Sequence, residues 1–249
     1  MKVTNTKKKY IAFIDILGFK NLVESKSHNV VYKKIHAIVE SLIKMEALFK
    51  FKKEEEEQEE ENEWIKKWVF SDSIMLVSRD DSEFSADVIF LVTANIVAEA
   101  LNQELLVKGS IAFGEFTADY ENSIFFGKPL IDSYQLEENL KISSIVIHHT
   151  CEKKLKQMKY ENINLLENGR CFNYLTPMKF GKVNHLHLNW LKYQMLALEK
   201  NEREEVFIKF KKLIETIYLE ASGEPRLYID NTIPFLEKCR DEYEANVRQ

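Results

Sequence analysis

Two aspartates stand where apolar strands have no ordinary use for them. Asp15 interrupts the run Tyr10-Ile-Ala-Phe-Ile-Asp-Ile16, and Asp72 sits in the polar break Ser71-Asp-Ser73 between two further apolar stretches. An ionised carboxylate in a buried strand carries a desolvation cost of several kcal/mol unless it is paired or bound to a cation. If the two strands are neighbours, both carboxylates converge on one edge of the sheet and repel each other. A hard cation relieves that repulsion, and Mg2+ or Mn2+ suits all-oxygen ligation. Gly18 follows just before a helical pattern, where the chain can turn tightly. There the backbone N–H groups of Leu17, Gly18 and Phe19 could face a phosphate. Metal, carboxylates and helix-end amides together describe a nucleoside triphosphate site. The spacing alone also fits a plainer account, in which Asp15 caps the following helix and Asp72 serves its turn.

The elements that must position these groups can be read from hydrophobic periodicity. Residues 10–16 form a continuous apolar run between a Lys cluster and Gly18, as a buried central strand does. From 21 to 51 apolar residues recur at helical spacing, with a break around 25–29. The Glu-rich run 54–63 reads as a solvated loop or helix extension. Strands are expected at 64–70 and 73–79, a helix at 84–105, and strands at 106–118 and 123–127. A short helix at 130–140 and a strand at 142–148 follow. Segment 152–187 is less clearly patterned and is expected to close the domain. This order implies an α+β fold with a mixed sheet and helices on one of its faces. The expected division is a domain over 1–187 and a C-terminal helical region over 188–249, an appendage or a dimer-forming element.

Composition excludes several classes of function. The chain has 249 residues, 45% of them hydrophobic, enough for a sizeable core. Its net charge is -5 and no basic stripe is visible, which argues against nucleic acid as a partner. No apolar run reaches the ~18 residues needed to span a bilayer, and the first residues do not read as a signal peptide. Cys151, Cys171 and Cys239 are scattered and odd in number, as free thiols in a reducing compartment would be. A cytoplasmic protein without a membrane partner is expected.

Four segments in order resemble one known family. Phe13-Ile-Asp-Ile-Leu-Gly-Phe19 is similar to the first-metal motif of class III nucleotide cyclases, and Val69-Phe-Ser-Asp-Ser73 to their second-metal hairpin. Val107-Lys-Gly-Ser-Ile-Ala-Phe-Gly114 resembles the strand reading Val-Arg-x-Gly-Ile in those enzymes. Phe125-Phe-Gly127 with Leu130–Glu137 resembles the family segment Phe-Gly-x-x-Val-Asn-x-Ala-x-Arg-Leu. The matches span about residues 10–150. The resemblance implies the class III catalytic-domain fold, with Asp15, Asp72 and the Ile16 carbonyl holding two Mg2+ or Mn2+ ions. It also implies a head-to-tail homodimer with composite sites. Base-contacting positions fall on Trp68 and Ile124, and the Asn and Arg that assist the transition state fall on Ile131 and Gln135. A family triphosphate-binding lysine lies in the region of Lys179 and Lys182.

An indole and a sec-butyl group cannot supply the hydrogen bonds that select a purine, whereas Trp68 could stack on a smaller base. That pattern resembles the pyrimidine cyclases of bacterial Pycsar antiphage defence, which convert UTP or CTP to cyclic UMP or cyclic CMP and so activate a cell-killing effector. The rival readings are a non-catalytic binding module on the cyclase fold, as a degenerate pseudocyclase would be, and a purine cyclase. A phosphatase built on Asp15 would carry a second aspartate two residues later, where Leu17 stands. A diguanylate synthase would show its own loop motif at the second hairpin. His185 and His187 lack a third ligand nearby in sequence and are expected to be exposed polar positions, and His148-His149 near Cys151 lacks a third triad member and is expected to be structural. Glu115 lies close to the expected site and has no assigned role.

Overall fold

The structure is a computed structural model that describes residues 6–50, 63–158, 169–196 and 198–247. The run 54–62 therefore lies outside the described residues. Strand β1 (Thr6–Ile16) occupies the middle of an eight-stranded sheet and is followed by α1 (Phe19–Ser25) and α2 (His28–Lys50). Gly18, in left-handed conformation at φ 73°, makes the turn between β1 and α1. The hairpin β2 (Ile65–Phe70) and β3 (Ser73–Ser78) pairs against one side of β1, and β4 (Val107–Asp119) against the other. Between them runs α3 (Glu83–Asn102), followed after β4 by β5 (Ile124–Gly127), α4 (Lys128–Glu138) and β6 (Ile145–Ile147). Helix α5 (His149–Gln157) and the hairpin β7 (Cys171–Met178) and β8 (Gly181–Leu188) complete the sheet.

The strand order is β2-β3-β1-β4-β6-β8-β7, with β5 also on β4; β4 and β6 run parallel and the other pairs antiparallel. The expected α+β class, a mixed and mainly antiparallel sheet with helices packed on it and further helices at the C-terminus, is the one observed. Side chains alternate along β1 as a pleated strand requires. Tyr10, Ala12, Ile14 and Ile16 join the main core, which includes α3. Ile11, Phe13 and Asp15 face the other way, where α4 lies: the Phe13 ring meets Tyr134 edge-on at 5.5 Å. Helices thus cover both faces, not one as expected. The α4 segment is too short to reveal from its pattern which face it takes.

Helix α3 is the one helix among the described residues long and apolar enough to cross a membrane, and most of it is buried in this core. Helices α6 (Trp190–Met195), α7 (Lys200–Glu220) and α8 (Glu224–Val247) supply Trp190, Phe207, Phe210, Ile214, Phe235 and Leu236 to the same core. Strand β6 is shorter than the expected 142–148, because residues 142–144 bend to clasp β4. Ser143 Oγ donates to the Val107 carbonyl at 2.6 Å, and Gly109 N–H to the Ser144 carbonyl at 2.9 Å.

Gly109 marks a close approach between β4 and β1. A Cβ there would stand 2.7 Å from the Phe13 carbonyl oxygen and 3.0 Å from the Ile145 side chain. Gly109→Ala is therefore expected to force β4 away from β1 and to cost about 1–3 kcal/mol, measured by urea denaturation. A cost near zero would mean that the two strands part more easily than their pairing suggests.

Candidate active site

The end of β1 brings the two sequence-predicted aspartates together. Asp15 pairs with Ser73 of β3 on one side and with Lys108 of β4 on the other. Asp72 occupies the two-residue turn just before Ser73, with Ser71 at φ 57°. The Ile16 N–H donates to the Asp72 carbonyl at 2.9 Å, which fastens the hairpin turn to the end of β1. These contacts are backbone contacts, so the convergence of the two carboxylates follows from strand pairing.

Sequence reading missed two further members. Lys108, opposite Asp15, extends to α4, where its ammonium meets Glu137 Oε1 at 2.8 Å and the Glu137 carbonyl at 3.1 Å. Their side chains are 9% and 4% exposed, so this is a buried ion pair. A lysine in the second position of an otherwise apolar strand was one available signal. Glu137, in the polar stretch Gln135-Leu-Glu-Glu-Asn139, gave no such signal; the structure places it four residues after Ser133 on the sheet-facing side of α4. Ser133 is placed by its carbonyl, which accepts from Ser110 Oγ at 2.9 Å.

The cluster holds three carboxylates to one ammonium. Burial, Glu137 and Asp72 push the Asp15 carboxyl up to about 7, against the opposing pull of Lys108. Burial also raises Glu137, with Lys108 offsetting it. Among the described residues no group of three or more His, Cys, Asp or Glu side chains could enclose a metal by itself. Two carboxylates and a backbone carbonyl leave room for water and substrate oxygens, which is how Mg2+ and Mn2+ are bound at phosphate-transfer sites. The excess of negative charge fits a divalent cation.

A pH effect follows from the raised Asp15. Its folded-state pKa exceeds the unfolded value of 3.8, so the folded chain binds the proton more tightly and loses stability as pH rises from about 4 through 7. Asp15→Asn is accordingly expected to raise the melting temperature of metal-free protein at pH 8 and to leave it nearly unchanged at pH 4. The gain at pH 8 should be about 1–2 kcal/mol, since a partly exposed carboxylate is screened by water. Thermal unfolding at both pH values checks this, and an equal shift at both would contradict it.

Other predicted residues are placed less simply. The Leu17 N–H donates to the Leu106 carbonyl at 2.8 Å, so of the three amides only those of Gly18 and Phe19 remain at the start of α1, a helix of seven residues. Trp68 lies on the Asp15 face of the sheet, opposite Met75, which itself pairs with Phe13. Its neighbour on β5 is Phe125, at 4.5 Å between ring centroids, and Tyr120 lies parallel to it at 5.9 Å. Ile124 is half exposed and turned the other way, because successive strand residues alternate in direction. The structure therefore does not bring Trp68 and Ile124 into one pocket. A cavity of about 830 Å³ beside Trp68 is lined also by Phe125, Tyr120, Lys7, Lys9 and Lys66.

Gln135 and Ile131 lie on the exposed side of α4. Lys179, in the β7–β8 turn, pairs with Glu138 of α4 at 3.1 Å, beside Glu137, whereas Lys182 is exposed on β8. Glu115 is exposed as well. His187, expected to be an exposed polar position, is fully buried and bonds Thr176 Oγ1 through Nε2 at 2.6 Å. Burial drives its pKa down to about 3, so it is neutral. His148 caps α5 by accepting the Thr150 N–H, and Cys151 is buried.

No protein-family model and no curated protein matches the sequence. Solved structures of similar shape include a bacterial light-regulated adenylyl cyclase, with 13% identity over 85% of this chain and 98% of that one and a TM-score of 0.49. The catalytic core of a rhodopsin-guanylyl cyclase with converted specificity, in complex with ATPαS, is 16% identical over 74% and 97%, at a TM-score of 0.48. Adenylyl cyclase CyaB from P. aeruginosa is 16% identical over 74% and 94%, at 0.47. At this level the likeness is one of overall shape and assigns nothing to individual residues.

Proposed function

We propose that this chain is a nucleotide cyclase that converts a ribonucleoside triphosphate to its 3′,5′-cyclic monophosphate and pyrophosphate. The observation that carries the reading is the convergence of Asp15 and Asp72 at the end of β1, in a site with more negative than positive charge. Asp15, Asp72 and the Ile16 carbonyl would hold the metal there. Two Mg2+ or Mn2+ ions so bound would lower the pKa of the ribose 3′-hydroxyl and neutralise charge on the triphosphate as that oxygen attacks the α-phosphorus. Lys108, ion-paired with the Glu137 carboxylate and donating to its carbonyl, would turn a remaining N–H to a phosphate oxygen. The amides of Gly18 and Phe19 add two neutral donors. Lys179, close by at the C-terminal end of α4, is a further cation within reach of the outer phosphates.

The base is met by Trp68 and Phe125. An indole gives stacking area without a hydrogen-bond pattern for a purine edge, which favours a pyrimidine, UTP or CTP, over ATP or GTP. The active form is a homodimer with composite sites, supported by large apolar side chains left exposed at the sheet edges and on α4: Phe70, Ile131, Tyr134 and Phe180. The product would serve as a messenger for an effector in antiphage defence, as the resemblance to Pycsar cyclases suggests.

Purified protein incubated with Mn2+ and each of the four ribonucleoside triphosphates, with products resolved by chromatography, tests the reading. Cyclic UMP or cyclic CMP with pyrophosphate is the expected outcome. Cyclic AMP or cyclic GMP would keep the chemistry and overturn the base assignment. No turnover of any of the four would sink the cyclase reading in favour of a binding module.

A further inference from the structure

The C-terminal helix reaches the carboxylate site from behind. Tyr228, Asn231 and Thr232, on one face of α8, meet the bend before β6. The Thr232 hydroxyl, only 3% exposed as a residue, accepts the Ser143 N–H at 3.0 Å and donates to the Tyr228 carbonyl at 2.6 Å. Ser143 Oγ in turn donates to the carbonyl of Val107, the residue before Lys108. On the other side of Lys108, the Gly109 N–H is held by the Ser144 carbonyl. Both flanks of Lys108 are thus clasped by residues 143–144, and that bend is tied to α8 by Thr232. Asn231 Nδ2 adds a bond to the Lys141 carbonyl at 2.7 Å. The Tyr228 ring lies 6.0 Å from Lys108 Nζ and 5.2 Å from Lys141 Nζ.

Docking of α8 does not require these polar groups, since Ile229, Phe235 and Leu236 already bury its apolar side in the core. A buried threonine hydroxyl with both its bonds made fixes geometry more than it adds stability. What it fixes here is the backbone that carries the Lys108 ammonium beside Asp15.

We propose that α8 is a positioning element of the triphosphate site, in which Thr232, acting through Ser143, and Tyr228, flanking the ammonium, set where Lys108 stands. Thr232 and Tyr228 are positioning residues and touch no substrate. The proposal rests on the cyclase reading, so its test uses probes that separate the two. Inorganic tripolyphosphate needs no base, and Mn2+ alone reports Asp15 and Asp72.

The full chain and its Thr232→Val, Thr232→Ser, Tyr228→Leu and Tyr228→Phe variants are titrated by calorimetry, with Mn2+ alone and then with tripolyphosphate in its presence. Thr232→Val leaves the buried Ser143 N–H without an acceptor and is expected to weaken tripolyphosphate binding by about five- to tenfold. Tyr228→Leu should weaken it as well, Thr232→Ser and Tyr228→Phe should bind as wild type, and Mn2+ binding should be unchanged throughout. If Thr232→Val fails to fold, Tyr228→Leu, which leaves every backbone bond in place, carries the comparison. Tripolyphosphate binding equal to wild type in the Val and Leu variants would overturn the proposal while leaving the cyclase reading intact. A parallel loss of Mn2+ binding would overturn it too, by showing a general loosening. A wild-type chain that binds neither probe would overturn the cyclase reading and this proposal together.

Discussion

Asp15→Ala and Asp72→Ala are each expected to reduce cyclic-nucleotide formation by at least about a thousandfold, with the fold unchanged. A thousandfold corresponds to about 4 kcal/mol of transition-state stabilisation, within what a bound divalent ion supplies at a phosphoryl centre. The fold should survive for a specific reason at each position. Asp15 is destabilising as it stands, because burial and two neighbouring carboxylates raise its pKa, so removing it relieves repulsion. Asp72 fastens the hairpin turn to β1 through its backbone carbonyl, which accepts the Ile16 N–H and is untouched by a change of side chain. Product measured by chromatography should vanish while the melting temperature stays level for Asp72→Ala and rises for Asp15→Ala. Activity that survives either change would sink the metal assignment. Loss of activity together with unfolding would give the carboxylates a structural role instead.

The second large effect concerns the ion pair beneath them. Lys108→Met strands Glu137 as an uncompensated buried charge, which is expected to cost about 3–5 kcal/mol by urea denaturation. The pair is 9% and 4% exposed, so water offers little relief. Because burial already raises the Glu137 pKa, the penalty should shrink as pH falls and the carboxylate takes up a proton. Adding Glu137→Leu should recover most of the lost stability, since two apolar groups replace an ion pair that cost much to bury. The rescued double variant then makes a further demand: stable again but without its ammonium, it should bind triphosphate more weakly than wild type. A Lys108→Met variant within about 1 kcal/mol of wild type would show that the pair is better solvated than its enclosure indicates.

Strand and helix order as far as β6, the two out-of-place aspartates and the α+β class were legible in the sequence because they are local. Apolar runs with period 2, helical stretches with period 3.6 and a polar turn between strands each declare themselves within a dozen residues. Asp15 declared itself by contrast with Ile14 and Ile16, since a carboxylate in such a run has no cheap explanation. Lys108 was visible as a charged residue in an apolar strand, whereas Glu137 was one of two glutamates in a polar stretch. Their partnership was not visible, because 29 residues and a change of element separate them.

The same distinction accounts for the misplacements. Counting along β5 placed Ile124 in the base pocket. The register of β5 on β4, with Phe125 opposite Ala118, turns Phe125 toward Trp68 and Ile124 away. Leu17 was read as a free amide, yet its N–H belongs to the Leu106 carbonyl, a contact fixed only by the pairing of β1 with β4. The alternation that places His185 and His187 on one face of β8 says nothing of depth, and the residues packed against His187 come from β7 and α8.

By itself, then, the sequence determined which elements form as far as β6, and that a costly carboxylate sits at the end of one strand and another in the turn between two more. Desolvation and periodicity act on neighbours along the chain, so they can be read there. Only the tertiary structure decided that these two carboxylates share a site with a buried Lys108–Glu137 pair, and that α8 stands behind it. Those relations depend on strand register and on contacts between distant segments, which side-chain packing settles once the whole chain has folded.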